Sequence, residues 1–395
     1  MSGGALEGLR VLDLSEDISG PYCAKLLADY GAEVIKVERP GVGDAARRVG
    51  PFPNDEPHLE KSGLFLYLNT NKKGITLNLE DRSGQVILKS LVQQADVLVQ
   101  NYEPPFLDKL GLRYEDLERV NPGLIMASIS CFGQTGPYRD YKGSEMVALA
   151  LGGLMYMTGA PDREPLKGAG SQAEYQAGLN AAVATMTAVY FREATGQGQH
   201  IDVSVVEVVA SLLEAAVLNH EYDGTIRGRA GARHHSSYPS TILPCRDSYV
   251  HAHASTDWEA FSRFMEAPDL LDPKFEGAHR LYADEMDELM LPWLMAHDAD
   301  EIFHSAQTWR FPFAKVLNID EMLDDVQYQD RGFWVEVDHP AAGKLTYPGA
   351  PFKMEETPWR VGRAPLLGEH NEEVYCGRLV VTREDLVRLH EAGVV

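Results

Sequence analysis

Two carboxylates stand in sequence surroundings that suit nucleophilic or acid–base chemistry. Glu145 lies in the segment Lys142-Gly-Ser-Glu-Met, and Glu174 lies in Ser171-Gln-Ala-Glu-Tyr, followed by mostly small and apolar residues. Each position is typical of the first turn of a helix, where the helix dipole and free amides stabilise a negative charge. A partly desolvated carboxylate can also act as a nucleophile or a base. A helix cap and a catalytic group are therefore both compatible with each glutamate.

Side chains that suit an anionic ligand stand beside several apolar, strand-like segments. They are Arg39, Lys73, Asn101, Tyr102, Lys109 and Lys142. Arg39 directly follows the second such segment, whereas Lys73 stands at the start of the third. Open parallel sheets bind ligands in the crevice at the carboxyl ends of their strands. Each residue alone is typical of a solvated surface, but their joint placement favours a nucleotide-like anion as ligand.

The familiar cofactor and metal motifs are missing from the chain. The first predicted strand–helix turn reads Ser15-Glu-Asp-Ile-Ser-Gly-Pro21, with one glycine and two acids where a nicotinamide dinucleotide needs bare amides. No P-loop, no H-E-x-x-H spacing and no G-x-S-x-G turn occurs in the sequence. We therefore expect no nicotinamide cofactor, no bound metal and no serine-hydrolase chemistry.

Strand-like and helical segments alternate along the first half of the chain. The predicted strands are 8–15, 32–38, 74–79, 95–101, 124–130 and 200–206. The predicted helices are 22–30, 83–94, 105–110, 114–120 and 173–194, the last ending at a Thr-Gly pair. A strand, a helix and a strand within about thirty residues form a βαβ unit, which implies a parallel sheet. The pattern predicts an α/β, doubly wound fold.

The composition and the predicted secondary structure of the chain change near residue 224, which suggests a second domain. Residues 224–231 form a glycine- and arginine-rich link, and residues 235–330 mix short strands with polar helices. We predict a large domain of residues 1–224 with 331–395, and a small domain of residues 225–330.

Composition restricts the classes of partner and the compartment. The 36 basic and 59 acidic residues give a net charge of −23, so the surface repels nucleic acid and anionic membranes. No apolar tract is long enough to span a membrane. The four cysteines form no C-x-x-C pair, as expected for reduced thiols. We predict a cytoplasmic protein.

Taken in order, several segments of the chain resemble the class III CoA-transferase superfamily, which includes formyl-CoA transferase, carnitine CoA-transferase and α-methylacyl-CoA racemase. The matching stretches are Gly8–Pro21, Leu26–Pro40, Gly41–Asp44, Asn69–Ile75, Ala95–Tyr102, Phe132–Pro137, Gly152–Gly159, Thr195–Gln199 and Ala364–His370. The resemblance is dense over residues 5–205, thin over 225–330, and returns at the tail.

The resemblance implies a Rossmann-like large domain and a small α+β domain, in two chains that interlock as a ring-like homodimer. It implies an active site between the large domain of one subunit and the small domain of the other. It also implies acyl-CoA and a carboxylic acid as substrates. The family positions that bind CoA are occupied in this chain by Arg39, Asn101, Tyr102, Lys109 and Lys142.

The family nucleophile is an aspartate that opens the helix running to the Thr-Gly turn. Counting back from Thr195 without gaps places Glu174 in that position. The resemblance then implies that Glu174 attacks the thioester, forming an acyl-enzyme anhydride and afterwards an enzyme–CoA thioester. Glutamate carries the same functional group as aspartate but is longer by one methylene, and a displacement of about 1 Å matters in a positioned site.

Two other functions remain open on the same scaffold. The racemase branch has a histidine where this chain has Ser144, and an ordinary hydroxyl cannot remove an α-proton near neutral pH. Glu145 matches an acidic position in relatives, where it orients the site or supports the dimer, and a helix cap is equally compatible. The alternatives to a CoA-transferase are an acyl-CoA isomerase, racemase or dehydratase, and a non-catalytic acyl-CoA binding protein. The loop 231–242 is expected to shape the acyl pocket.

Overall fold

A sheet of six parallel strands forms the centre of the larger compact unit. The computed structural model describes residues 4–235, 237–254 and 257–395. The strands are β1 (Arg10–Asp13), β2 (Glu33–Glu38), β3 (Lys73–Thr76), β4 (Val97–Gln100), β5 (Ile125–Ser130) and β6 (Gln199–Ser204). Their spatial order is β3-β2-β1-β4-β5-β6, and every neighbouring pair is parallel. The predicted α/β class with a parallel sheet is confirmed.

Helices connect the strands. They are α1 (Ser19–Asp29), α2 (Gly63–Leu68), α3 (Arg82–Val92), α4 (Pro104–Leu110), α5 (Tyr114–Leu117), α6 (Glu145–Leu151), α7 (Leu154–Met157), α8 (Gln172–Thr195), α9 (Val205–Ser211), α10 (Ala216–Asp223), α11 (Trp258–Phe264), α12 (Ala283–Ala296), α13 (Ala299–Thr308), α14 (Ile319–Asp324), α15 (Val326–Asp330), α16 (Asn371–Arg378) and α17 (Arg383–Glu391). Short 3₁₀ helices occupy Ala45–Arg48, Pro53–Asp55, Pro268–Leu271 and Pro273–Phe275.

The long helix α8 begins and ends close to its predicted bounds. It stops where Gly196 takes a left-handed conformation with φ 73°, a conformation that costs glycine little because it has no Cβ. Ala177, Gly178, Ala181 and Ala182 are buried along it, so small side chains allow neighbouring elements to approach closely.

The strand order creates a crevice at the carboxyl edge of the sheet. The chain passes from β1 to β2 and β3 on one side, and from β4 to β5 and β6 on the other. Connections that leave β1 and β4 in opposite directions open a gap above their carboxyl ends, which is where ligands bind in such folds. The loops that follow these two strands are therefore expected to line a ligand site.

The second compact unit contains residues 155–167 and 218–330. Strands β7 (Ser240–Pro244), β8 (Tyr249–His253) and β9 (Ala314–Lys315) form an antiparallel sheet in the order β7-β8-β9. Its core is rich in aromatic side chains, among them Phe261, Phe264 and Phe313, which are buried together. This unit therefore has a hydrophobic core of its own.

The division of the chain differs from the predicted ranges at two places. Residues 155–167 and 218–224 were assigned to the large domain from the sequence, and in the structure they belong to the second unit. The physical reason lies partly in Arg229, whose guanidinium donates hydrogen bonds to the carbonyls of Tyr156 and Ala160 at 3.1 Å each. No sequence motif indicates such hydrogen bonds between a side chain and the backbone.

The C-terminal residues return to the larger unit. Strands β10 (Trp334–His339) and β11 (Gly343–Pro348) form an antiparallel hairpin. Helix α16 then packs beside β3, where the Tyr375 hydroxyl donates to the carbonyl of Thr76 at 2.6 Å. Among the described residues, no helix combines the length and the apolar character that a bilayer crossing requires.

Candidate active site

A cleft of about 590 Å³ opens at the carboxyl edge of the sheet, above β1 and β4. The loops that follow β1, β4 and β5 line it, together with the first turns of α6 and α8. The polar residues of its wall are Glu16, Asp17, Ser19, Asn101, Tyr102, Glu103, Ser130, Arg139, Tyr141, Ser144, Glu145, Ser171 and Glu174. Both carboxylates singled out from the sequence therefore lie in one cleft.

Glu174 is the third residue of α8 and faces this cleft. Its side chain is half-buried, and burial raises the pKa of its carboxyl group above the usual value. A hydrogen bond from Ser19 works in the opposite direction, and the negative charges of Asp17 and Glu145 raise the pKa further. Glu174 is thus a carboxylate held among other acids and partly removed from water, as a nucleophilic carboxylate must be.

Glu145 caps the helix that carries Glu174. Its two carboxylate oxygens accept hydrogen bonds from the backbone N–H groups of Ala173 and Glu174, both at 3.1 Å. These amides belong to the first turn of α8 and have no partner within the helix. Glu145 itself begins α6, whose N-terminal cap is Ser144. Glu145 therefore stands in the first turn of its own helix and also accepts hydrogen bonds from the free amides of α8.

Asn101 holds the turn that follows β1. Its side-chain oxygen accepts from the backbone N–H of Glu16 at 2.8 Å, and its amide nitrogen donates to the Glu16 carbonyl at 2.7 Å. The same nitrogen donates to the Ser19 hydroxyl at 3.3 Å. The polar groups of Asn101 are thus engaged with the protein, so this residue shapes the cleft wall instead of presenting free groups to a ligand.

A buried set of charges lies beneath the same turn, and the sequence analysis missed it. Lys36 on β2 donates to Asp44 at 2.6 Å and to the carbonyl of Ser15, and Lys72 donates to Asp13 at 2.8 Å. The Asp44 carboxylate accepts a hydrogen bond from the backbone N–H of Asp17 at 2.9 Å. The φ angle of Asp17 is 66°, in the left-handed region. The charges therefore hold the cleft-lining turn from below.

The sequence contains an indication of these buried charges, namely charged residues within predicted strands. Asp13 and Lys36 stand next to buried apolar residues of two parallel strands, such as Leu12 on β1 and Val37 on β2. A buried charge requires a partner. Burial alone would raise the pKa of Asp13, but Lys36 and Lys72 outweigh it and lower that pKa. Charged residues within buried strands could have been recognised as members of such a network, but not which side chains they meet.

A second cleft of about 270 Å³ adjoins the first, and both share Glu16 and Tyr102 as wall residues. Arg39 lines this second cleft, and its guanidinium forms a long, exposed ion pair with Glu80 at 3.7 Å. The ring of Tyr102 packs on that of Phe106, with centroids 4.7 Å apart. The two clefts lie side by side at the carboxyl edge of the sheet, with Arg39 in the wall of one and Glu174 in the wall of the other.

Lys73 lies away from both clefts. It is the first residue of β3, so it stands at the amino edge of the sheet, opposite the clefts. Its ammonium group pairs with Glu33 at 2.8 Å and with Glu373 at 2.6 Å. This position argues against the predicted contact between Lys73 and CoA. Contact between Lys73 and CoA therefore stays a prediction that this position does not support.

The remaining predicted cations lie at the surface. Lys142 follows β5 in the chain and pairs with Glu103, a wall residue of the first cleft. Lys109 is exposed in the last turn of α4. The loop 231–242, expected to shape the acyl pocket, includes Ser236, which lies outside the described residues. In the described part of the chain, no group of three or more His, Cys, Asp or Glu side chains could hold a metal ion.

Known proteins share sequence with this chain over nearly its whole length. Residues 6–371 match the model of CoA-transferase family III. The chain is 35% identical to succinyl-CoA–D-citramalate CoA-transferase of Chloroflexus aurantiacus, over 99% of this chain and 98% of that protein. It is 39% identical to succinyl-CoA:mesaconate CoA-transferase of Haloarcula marismortui, over 94% of this chain and 96% of that protein. The chain belongs to CoA-transferase family III.

The solved structures agree with this assignment. This family III CoA-transferase superposes on a CaiB/BaiF family protein from Brucella suis with a TM-score of 0.85 at 28% identity, covering 95% of this chain and 99% of that chain. The resemblance found in the sequence is confirmed, and so is the predicted reaction class, transfer of CoA from an acyl-CoA to a carboxylic acid.

Proposed function

We propose that this CoA-transferase uses Glu174 as its nucleophile and passes through glutamyl intermediates. The observation that carries the proposal is the position of the Glu174 carboxylate, half-buried in the cleft with a pKa raised chiefly by burial. Partial loss of water makes an ionised carboxylate a stronger nucleophile.

Atoms and charge balance in each half of the proposed reaction. A Glu174 oxygen attacks the thioester carbonyl, the C–S bond breaks, and CoA leaves as a thiolate, which gives a mixed anhydride. The thiolate then attacks the Glu174 carbonyl, the donor acid leaves as a carboxylate, and a glutamyl–CoA thioester remains. The acceptor carboxylate runs the same steps in reverse order, so no net proton is gained or lost.

Glu145 is proposed to serve this chemistry as a positioning group. Its carboxylate binds the backbone of Ala173 and Glu174, and so fixes where the Glu174 side chain leaves the helix. Its charge also helps to raise the pKa of Glu174. Ser144, in the place of the racemase histidine, is the cap of α6, and its hydroxyl accepts from the backbone N–H of Val147 at 3.4 Å. This favours transfer over proton abstraction.

Covalent trapping tests the proposed nucleophile. Two of the relatives are named for succinyl-CoA, which makes succinyl-CoA the first donor to try. Incubation with succinyl-CoA and hydroxylamine, without an acceptor acid, should convert Glu174 to a hydroxamate, and borohydride should reduce its CoA thioester to an alcohol. Peptide mass spectrometry should locate both products on Glu174. Modification of another carboxylate, with Glu174 unmodified, would contradict the proposal.

We further propose that CoA lies along the path formed by the two clefts. Its phosphates would meet Arg39, its pantetheine arm would pass Tyr102, and its sulfur would reach Glu174, with Lys142 and Lys109 at the rim. Arg39 supports this assignment because its guanidinium is exposed and its ion pair is long. Asn101 would contribute indirectly, by holding the turn that the arm crosses.

Replacing Arg39 by alanine should raise the KM for acyl-CoA roughly tenfold and leave kcat nearly unchanged, because a charge-assisted phosphate contact of about 1.4 kcal/mol is lost. Lys73→Ala is the matched control: it removes a cation from the opposite edge of the sheet and should leave KM unchanged. Steady-state kinetics with the acyl-CoA varied at a fixed acceptor concentration measures both. Equal effects of the two variants would contradict the proposed path.

A homodimer and a cytoplasmic location complete the proposal. Leu179, Val183 and Tyr190 are exposed along one face of α8, an apolar surface suited to a second copy of the chain. Light scattering should then give about twice the chain mass of 43.7 kDa; a monomer at micromolar concentration would contradict it. All four cysteines are free thiols, which is typical of a reducing compartment.

A further inference from the structure

Helices α1 and α8 approach closely beside Glu174. A Cβ atom placed on Gly178 would lie 2.4 Å from the carbonyl oxygen of Ser19, so only glycine allows this approach. Glu174 precedes Gly178 by four residues and therefore lies on the same face of α8. The rings of Tyr22 and Tyr175 pack edge to face in the same region, with centroids 4.9 Å apart. The Glu174 side chain is thus directed at the first turn of α1, where Ser19 is the first residue.

The Ser19 hydroxyl has a defined orientation at this place. Ser19 is buried, with 2% of its surface exposed, and it lines the cleft together with Glu174. Its oxygen accepts a hydrogen bond from the side-chain nitrogen of Asn101 at 3.3 Å. A serine hydroxyl has one proton to donate. With Asn101 as the donor to its oxygen, Ser19 keeps its own proton to donate, and the Glu174 carboxylate lines the same cleft.

We propose that Ser19 is a positioning residue for Glu174: its hydroxyl holds the carboxylate at the first turn of α1, where it can attack the thioester. This inference rests on the proposed function of Glu174 and assigns a role to a residue outside the set predicted from the sequence. Glu145 fixes the backbone of Glu174, and Ser19 fixes the far end of its side chain. A glutamate needs this second contact more than an aspartate, because it has one more rotatable bond.

Ser19→Ala should lower kcat by about tenfold to a hundredfold, the loss expected when a hydrogen bond to a charged group is removed, with little change in KM. It should also move the acidic limb of the kcat/KM profile to higher pH. The hydroxyl lowers the pKa of Glu174, whereas the other titratable groups that act on it electrostatically, Asp17, Glu145 and Cys131, remain in the variant. A residue that only supported the fold would not shift this limb.

A double-mutant cycle distinguishes a specific role of Ser19 toward Glu174 from a general loss of structure in the variant. Glu174→Asp withdraws the carboxylate by about 1.5 Å, one C–C bond, so that it no longer reaches Ser19. In that background Ser19→Ala should change kcat less than about twofold. Ser262→Ala, which removes a buried hydroxyl that donates to the Ala267 carbonyl in the second unit, is the control and should leave kcat unchanged.

The possible outcomes distinguish this inference from the proposed function. A wild-type enzyme that transfers CoA but is never trapped at Glu174 would overturn the nucleophile itself. Trapping at Glu174, with equal effects of Ser19→Ala in both backgrounds, would overturn only the role of Ser19. If Glu174→Asp is too slow to measure, infrared titration of the carboxylate band, assigned by subtraction of Glu174→Gln, decides. The pKa of Glu174 must then be higher in Ser19→Ala than in the wild type, and an unchanged pKa overturns the role.

Discussion

Replacing Glu174 by glutamine should reduce kcat for CoA transfer by about 10³-fold or more, with acyl-CoA binding preserved. Glutamine has the same shape as glutamate, but its amide cannot attack a thioester to form an anhydride. The residual rate should be independent of trapping reagents, because no glutamyl intermediate forms. Steady-state transfer from succinyl-CoA, together with calorimetric titration of CoA, measures the two parts separately.

The pH dependence of the wild-type enzyme belongs to the same prediction. The ionised carboxylate is the nucleophile, so kcat/KM should fall as the pH drops through the pKa of Glu174. Because burial and the charges of Asp17 and Glu145 raise that pKa, this loss should occur at a higher pH than for an ordinary glutamate with a pKa of 4.5. An acidic limb at or below 4.5 would contradict the environment described for this side chain.

Glu207→Gln provides the matched control. Glu207 also stands in the first turn of a helix, α9, but it is exposed and does not line the cleft. It should keep the wild-type kcat within about twofold, as expected for a surface substitution. If Glu174→Gln retained normal transfer, another group would have to supply the nucleophile, and the proposed mechanism would be abandoned.

Replacing Lys36 by methionine should lower the free energy of unfolding by about 3–5 kcal/mol, the largest stability effect we expect from a single side chain here. The Lys36 ammonium is fully buried and lies 2.6 Å from Asp44 and 3.9 Å from Asp13. Methionine fills the same space, but it leaves buried carboxylates short of a counter-charge. Urea unfolding, followed by circular dichroism, measures the change.

The control for this prediction is an exposed ion pair in the same unit. Lys344 lies 3.6 Å from Glu336 across the β10–β11 hairpin, with both side chains largely in water. Lys344→Met should therefore cost less than about 1 kcal/mol. A cost for Lys36→Met as small as that for Lys344→Met would show that the buried charges do not depend on one another. Lys36→Met should also slow CoA transfer, because Lys36 and Asp44 together hold the turn at Ser15–Asp17.

The local patterns of the sequence were sufficient to predict the sheet and to single out Glu174 as a candidate nucleophile. Short apolar runs such as 32–38 and 124–130 predicted strands because buried parallel strands are apolar on both faces. Counting back from the Thr-Gly pair at 195–196 led to Glu174, and in the structure one unbroken helix, Gln172–Thr195, joins the two. The order of motifs along the chain identified the family. These features are local or collinear, so a single sequence carries them.

Edges of the sheet were harder to assign. Arg39 and Lys73 are both cations beside strands, yet one lies at the carboxyl edge and the other at the amino edge. The difference follows from strand direction, because Arg39 comes after its strand and Lys73 comes at the start of its strand. The sequence analysis treated both positions as one group and did not use this difference. Asn101 was predicted to bind CoA, and in the structure its side-chain amide is hydrogen-bonded to the backbone of Glu16. An amide side chain can serve either partner, and only the surrounding backbone decides which one it meets.

The sequence by itself determined the fold class, the family and the presence of a carboxylate at the start of α8. The tertiary structure decided what surrounds that carboxylate: Ser19 from α1, Glu145 from α6, and the buried charges beneath the turn after β1. Hydrogen bonds and ion pairs act over about 3–4 Å in space, whereas these partners lie far apart along the chain. Their proximity is a product of packing, which periodicity and spacing do not encode.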